Sequence, residues 1–338
     1  MPKSASKPLP LIKTNWQQQL AQAITSPGEL LEILHIDAAH FPQLQQACEL
    51  FQLKVPRSYV DKIKRGDAND PLLLQIMSTG HELNKVEGFN KDPVGDMNTM
   101  PVPGLLHKYH GRVLLIATGA CAVHCRYCFR RHFPYNDNLS ARNHWHESIE
   151  YIRQHSDIKE VILSGGDPLI LSDSKLAELI SQLDTIPHLR RLRIHSRLPV
   201  VLPDRITDDL LALLKASRLA VCVVIHANHS QEIGSQEYSA LNRLSRVASL
   251  LNQSVLLKGI NDTADAQIEL NERLFECQVI PYYLHLLDPV EGAAHFDVNE
   301  SHARKIMLKL KARLPGYLVP KLVREISGEN SKVSIFGL

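Results

Sequence analysis

The chain has 338 residues, of which 44% are hydrophobic and 22% charged, with a formal net charge of +2. That length can bury the core of one barrel-sized domain with an appendage. Mixed, nearly balanced charge gives no electrostatic case for nucleic acid or a membrane surface, and the longest apolar runs, such as "LAVCVVIHA", are far too short to span a bilayer.

The opening "MPKSASKPLPLIKTNW" lacks an apolar signal core, so no secretion signal is expected. The first hundred residues read as a helical region. "NWQQQLAQAI", "SPGELLEILHI" and "PRSYVDKIKRG" carry helical spacing, with Ser26 placed to cap and Pro27 at the first helical position. Residues 88–104 mix Pro, Gly, Asn and Asp without periodicity and read as a connector.

Beyond it, short apolar runs alternate with amphipathic segments. Strands are expected over 112–118, 160–165, 191–196, 219–227, 250–259 and 280–287. Helices are expected over 144–155, 172–183, 204–216 and 265–277. Repeated strand–helix alternation implies an α/β fold of parallel strands, either a partial or complete barrel or an open doubly wound sheet. In each case function gathers at the C-terminal ends of the strands.

Two unusual loops fall there. "GACAVHCRYCFRRHF" (119–133) follows the first strand and sets Cys121, Cys125 and Cys128 in C-x3-C-x2-C spacing. The other cysteines, Cys48, Cys222 and Cys277, lie far apart, which fits a reducing cytoplasm better than a disulfide framework. A structural zinc site wants four ligands, and His124 or His132 could complete one. Three thiolates on an iron–sulfur cubane would instead leave one iron open to an external ligand. The second loop, "LSGGDPL" (163–169), ends the second strand; alone, Gly165-Gly166-Asp167-Pro168 is a turn.

Together these loops resemble the radical S-adenosylmethionine (SAM) family. The resemblance implies a partial (β/α)6 barrel, a [4Fe–4S] cluster on the three cysteines, and SAM chelating the open iron with Gly165, Gly166 and Asp167 beside it. It narrows to the lysine 2,3-aminomutase branch through "LLHKYHGRVLLIATGACAVHCRYCFRRHF", "RLRIHSRLPVVLPDRIT", "LNQSVLLKGIND", "PYYLHLLDPVEGAAHF" and "GYLVPKLVREISGENSK". That branch implies pyridoxal phosphate (PLP) joined to Lys332, its phosphate held by Lys108 and Arg112, and Gln253 touching the cofactor. It implies Arg130 on the substrate carboxylate, with Asp288 and Glu325 on the ε-ammonium of L-lysine. His285 stands where the branch often has tyrosine, and Gly328 alone stands where a polyglycine run often precedes the lysine.

The parts implied are a helical region over 1–100, a barrel over 101–318 and a lysine-bearing segment over 319–338. The similarity is greatest to the short members of the branch, which make (R)-β-lysine for attachment to elongation factor P by a separate ligase, with an external electron donor. A catabolic lysine aminomutase, which would usually continue beyond the six residues that follow Lys332, is one rival. A radical SAM enzyme without PLP is another, and a metal-binding RNA module using "CFRRHF" a third; the charge balance and the Asp288/Glu325 pair oppose the last.

Overall fold

The computed structural model describes residues 15–135 and 145–336. The opening stretch in which no secretion signal is expected, apart from its last two residues, lies outside them, as does the first residue of the helix expected over 144–155. Among the described residues nine strands form one sheet in chain order: β1 (Leu105–Tyr109), β2 (Arg112–Thr118), β3 (Glu160–Gly165), β4 (Arg191–Ser196), β5 (Ala220–Ile225), β6 (Ser249–Val255), β7 (Ile280–His285), β8 (Lys321–Arg324) and β9 (Val333–Ser334). From β2 to β8 every pairing is parallel; β1 and β9 join antiparallel and form the two edges.

Strands β2, β3 and β4 have the expected bounds. The expected 219–227 run is trimmed because the chain leaves the sheet after Ile225, where the Ala227 N–H donates to Asn252 Oδ1. The run expected over 250–259 stops at Val255 because the Asn261 side chain takes over the pairing, accepting from Leu257 N at 2.8 Å. Helices follow the parallel strands, and four of them start on a side-chain cap. Ser172, Thr207, Thr263 and Asn299 each accept the backbone N–H three residues on, worth about 1 kcal/mol apiece. Ser235–Leu244 and Glu300–Arg313 are helices that the sequence reading did not anticipate.

The two faces of the sheet decide between barrel and doubly wound sheet. Leu115, Leu163, Ile194, Val223 and Leu250 lie in one register row, all buried with the apolar faces of the helices. Each buried aliphatic side chain contributes roughly 1.5–3 kcal/mol. The neighbouring row, Leu114, Ile162, Arg193 and Cys222, lines an internal cavity instead. Helices cover one face and a cavity the other, so the fold is a partial barrel.

The N-terminal region is less helical than its pattern suggests. Its helices are short: Trp16–Ala21, Pro27–Leu34, Leu44–Leu50, Arg57–Val60 and Pro71–Leu74. The helix expected over 56–66 ends at Val60, where backbone bonds tighten to i→i−3 and Lys62 turns its ammonium to Val200 O, Glu232 O and Glu237. Ser26 caps its helix as expected. Among the described residues no helix is long and apolar enough to cross a membrane.

Candidate active site

A cavity of about 1320 Å³ occupies the inside of the sheet, and every site residue implied by the family resemblance lines it, as does His124 but not His132. The strand ends deliver them in order: the cysteine loop after β2, the glycine turn after β3, Gln253 on β6, His285 at the end of β7 with Asp288 just beyond, and Glu325 after β8.

The cysteine loop is gripped from outside the barrel. His124 N donates to Lys54 O and Arg126 N to Gln75 O, both at 2.9 Å. Arg126, fully buried, forms a two-pronged pair with Glu82 (2.8 and 2.5 Å), and Arg131 reaches the same carboxylate at 2.7 Å. Both guanidiniums stack over Phe51. Burial raises the Cys121 thiol well above its usual range, and Cys128, Asp167 and Cys125 push it further. Burial and Cys125 raise Cys128 to about 11. Cys121 and Cys128, two thiols that resist ionising, need a positive centre to become thiolates together. Among the described residues no three His, Cys, Asp or Glu side chains converge on a point where one metal ion could sit.

The glycine turn serves the loop more directly than any ligand. Gly166 N donates to Thr118 O (2.7 Å) and Asp167 N to Ala120 O (2.8 Å). A Cβ on Gly166 would stand 2.2 Å from Ala120 O, and one on Gly165, at φ +111°, 2.6 Å from Thr118 O. Glycine is therefore required so that two stretches of backbone can touch. Asp167 lines the cavity at this turn and also binds the protein around it. It is buried, and its carboxylate accepts from Ser196 Oγ, Arg197 N, Leu198 N and Leu169 N, so the side chain holds the end of β4.

Opposite charges crowd the cavity between β1 and β8. Lys108 Nζ is held by Val94 O (2.8 Å), Asp96 (2.6 Å) and Glu325 (3.4 Å). With three acceptors already, it ties two acids together and is less free for a phosphate than Arg112, which makes no ion pair among the described residues. Arg130 Nε meets Asp96 at 2.7 Å, and its Nη1 donates to Ser164 at 3.2 Å. Burial opposes ionisation of Asp96, yet Arg130 and Lys108 hold its carboxyl below the usual range. Lys332 Nζ meets Glu325 at 2.5 Å, with the Tyr283 ring 6.0 Å away. The antiparallel pairing of β8 with β9 closes a hairpin whose neck sets Glu325 and Lys332 face to face. Asp288 is half-buried, and its Oδ1, shielded from solvent, has no partner among the described residues. Burial, then the charge of Glu325, push its carboxyl up to about 7.

Residues 115–268 match the Radical SAM superfamily. The chain is 48% identical over 325 residues to the L-lysine 2,3-aminomutase of Escherichia coli K12, covering 96% of this chain and 95% of that one. It is 49% identical to the protein of that name from Haemophilus influenzae, with 94% of each covered. Identity to the Clostridium subterminale L-lysine 2,3-aminomutase is 35%, over 95% of this chain and 77% of that one. The chain belongs to the lysine 2,3-aminomutase family.

As a lysine 2,3-aminomutase family member it is a radical SAM isomerase, and membership implies a [4Fe–4S] cluster, SAM and PLP. The cavity suits them: three thiols, an Arg112 with no ion pair among the described residues and a part-buried lysine all line it. Replacing Cys121, Cys125 and Cys128 together with alanine is expected to abolish iron and sulfide uptake on anaerobic reconstitution; full uptake would place the cluster elsewhere.

Several aminomutase residues went unnamed in the sequence reading. Asp96 sits in the aperiodic connector, where no strand end points to it. Arg197 and His195 close β4, a position that the strand-end rule could have flagged. His195, His226 and His285 all line the cavity, and burial first of all drives each of them toward the neutral form.

Proposed function

We propose that the protein moves the amino group of L-lysine from C2 to C3, giving (R)-β-lysine, and that it depends on PLP as well as on the cluster and SAM. The observation that carries the substrate is the acidic end of the cavity. Glu325 already holds one lysine ε-ammonium, that of Lys332, and Asp288 also lines the cavity with its shielded Oδ1 unpartnered among the described residues. A substrate with a carboxylate side chain would meet two like charges there, whereas an ammonium relieves both.

When bound, the cluster and SAM supply one-electron chemistry, and PLP supplies the carbonyl that carries the migrating nitrogen. The chain's own residues do the rest. Cys121, Cys125 and Cys128 hold iron, with Gly165, Gly166 and Asp167 setting the wall beside SAM. Lys332 anchors PLP, Arg112 and Lys108 face its phosphate, and Gln253 lies alongside. Arg130, fixed from behind by Asp96 and Ser164, takes the substrate carboxylate. Asp288 and Glu325 take the ε-ammonium, so the substrate is stretched between fixed charges and C2 and C3 are placed. The three neutral histidines add no competing cation to this space.

We place the product upstream of a separate β-lysine ligase that modifies elongation factor P, in the cytoplasm, with an external electron donor. Six free cysteines accord with a reducing compartment. The parts are a helical region over 1–100, a barrel over 101–318 and a Lys332-bearing segment over 319–338. The mass of elongation factor P from cells with and without this gene tests the destination. Loss of a lysyl-sized modification, restored by added (R)-β-lysine, is the expected result. Unchanged mass with accumulation of free β-lysine would assign the enzyme to lysine catabolism.

A further inference from the structure

We infer that Arg197 is a positioning residue that sets the electron affinity of the iron centre by donating a charged hydrogen bond to the sulfur of Cys125. The inference rests on the reading of Cys125 as a cluster ligand. Arg197 Nη1 lies 2.7 Å from Cys125 Sγ. Its Nη2 donates to Gln75 Oε1 at 2.7 Å and to Glu232 Oε2 at 2.9 Å, inside the protein. The guanidinium lies over the rings of Tyr59 and Tyr127, which fix its plane.

The holding structure is elaborate for a residue with no other evident task. Glu232, fully buried, is itself held by Asn228 N (2.8 Å), His229 N (3.1 Å) and Gln75 Nε2 (3.2 Å). From the other side Asp167 accepts Arg197 N at 2.8 Å and so pins the backbone. Three parts of the chain therefore meet on one arginine: the N-terminal region through Gln75 and the loop after β5 through Glu232 on its guanidinium, and the glycine turn through Asp167 on its backbone N–H. Arg197 Nε keeps an N–H with no acceptor among the described residues, and the side chain lines the cavity. Its charge is not closed off by the protein alone.

A positive donor on a ligand sulfur stabilises the added electron, because hydrogen bonds and local charge set the potential of such centres. Glu232 opposes it in part, so the pair acts as a graded field on one corner of the cluster. Removing the guanidinium makes the reduced centre less favourable; neutralising its counter-ion makes it more so.

The test uses anaerobically reconstituted full-length protein, with iron and sulfide assayed and the midpoint potential read by spectroscopic titration. R197Q is expected to hold wild-type iron with a potential more negative by an amount equal to about a tenfold lower reduced-to-oxidised ratio, or about 59 mV for one electron. R197K should recover part of the shift, and E232Q should move the potential in the opposite direction. Unchanged potential in R197Q at full iron content would overturn the inference. Should R197Q fail to hold iron, the sign of the E232Q shift decides, an unmoved or negative shift counting against it. Wild-type protein that takes up no iron would instead remove the cluster reading beneath it.

Discussion

Asp288→Asn will raise the melting temperature of the cofactor-free protein by a few degrees at neutral pH and cut lysine turnover by roughly a hundred- to a thousandfold. Both effects follow from one poorly solvated carboxyl pushed up to about 7 from an ordinary 3.8. An acid whose folded pKa is raised binds its proton more tightly in the folded state. Its cost to stability is therefore absent below about pH 3.8, grows as pH rises through the window to about 7, and stays constant above it. At pH 7.5 the cost is on the order of a few kcal/mol, and asparagine removes it. The thermal gain should thus vanish when the comparison is repeated near pH 4. Turnover moves the other way, because breaking a buried ion pair with the substrate ammonium costs about 3–5 kcal/mol. In the wild type, affinity for lysine should fall as pH drops below about 7 and Asp288 takes up a proton. An unchanged melting temperature together with unchanged turnover would remove Asp288 from the site.

Lys332→Ala will abolish turnover and the covalent attachment of PLP while leaving iron and sulfide content intact. The side chain is part-buried at the neck of the β8–β9 hairpin, paired with Glu325. Burial opposes ionisation of Glu325, but Lys332 and Lys108 hold its carboxyl below the usual range. Alanine therefore removes two things at once, an attachment point and a counter-charge. Lys332→Arg separates them, since it keeps the charge beside Glu325 but cannot carry the cofactor. The arginine variant should melt near the wild type and the alanine variant below it, and neither should retain a borohydride-fixed pyridoxyl label. A label mapped to another lysine in the wild-type protein would overturn the assignment.

The parallel strands were legible because each is a buried apolar run of ordinary length, bounded by turn residues and followed by a helical period. The last parallel strand, β8, and the edge strand β9 were not. β8 and β9 have four and two residues and gain their identity from each other and from β7, so no local pattern marks them. The same limit governs the site. Strand-end position and resemblance together named the residues that face the cavity. Asp96 and Glu82 act through partners 34 and 44 residues away and sit where the chain has no period. Asp167 stands beside SAM only by the resemblance, and no local pattern shows that its carboxylate also accepts from four protein donors. The glycines before it let two backbones meet.

The unclosed side of the sheet has a consequence of its own. A complete barrel would be zipped along that seam by backbone hydrogen bonds, which are indifferent to what occupies the interior. Here Lys108 on β1 reaches Glu325 beyond β8, so the joint is made by side-chain charge. An anion that claims the lysine, or a cation that claims the glutamate, loosens the seam, and occupancy of the cavity is written into how firmly its wall is shut.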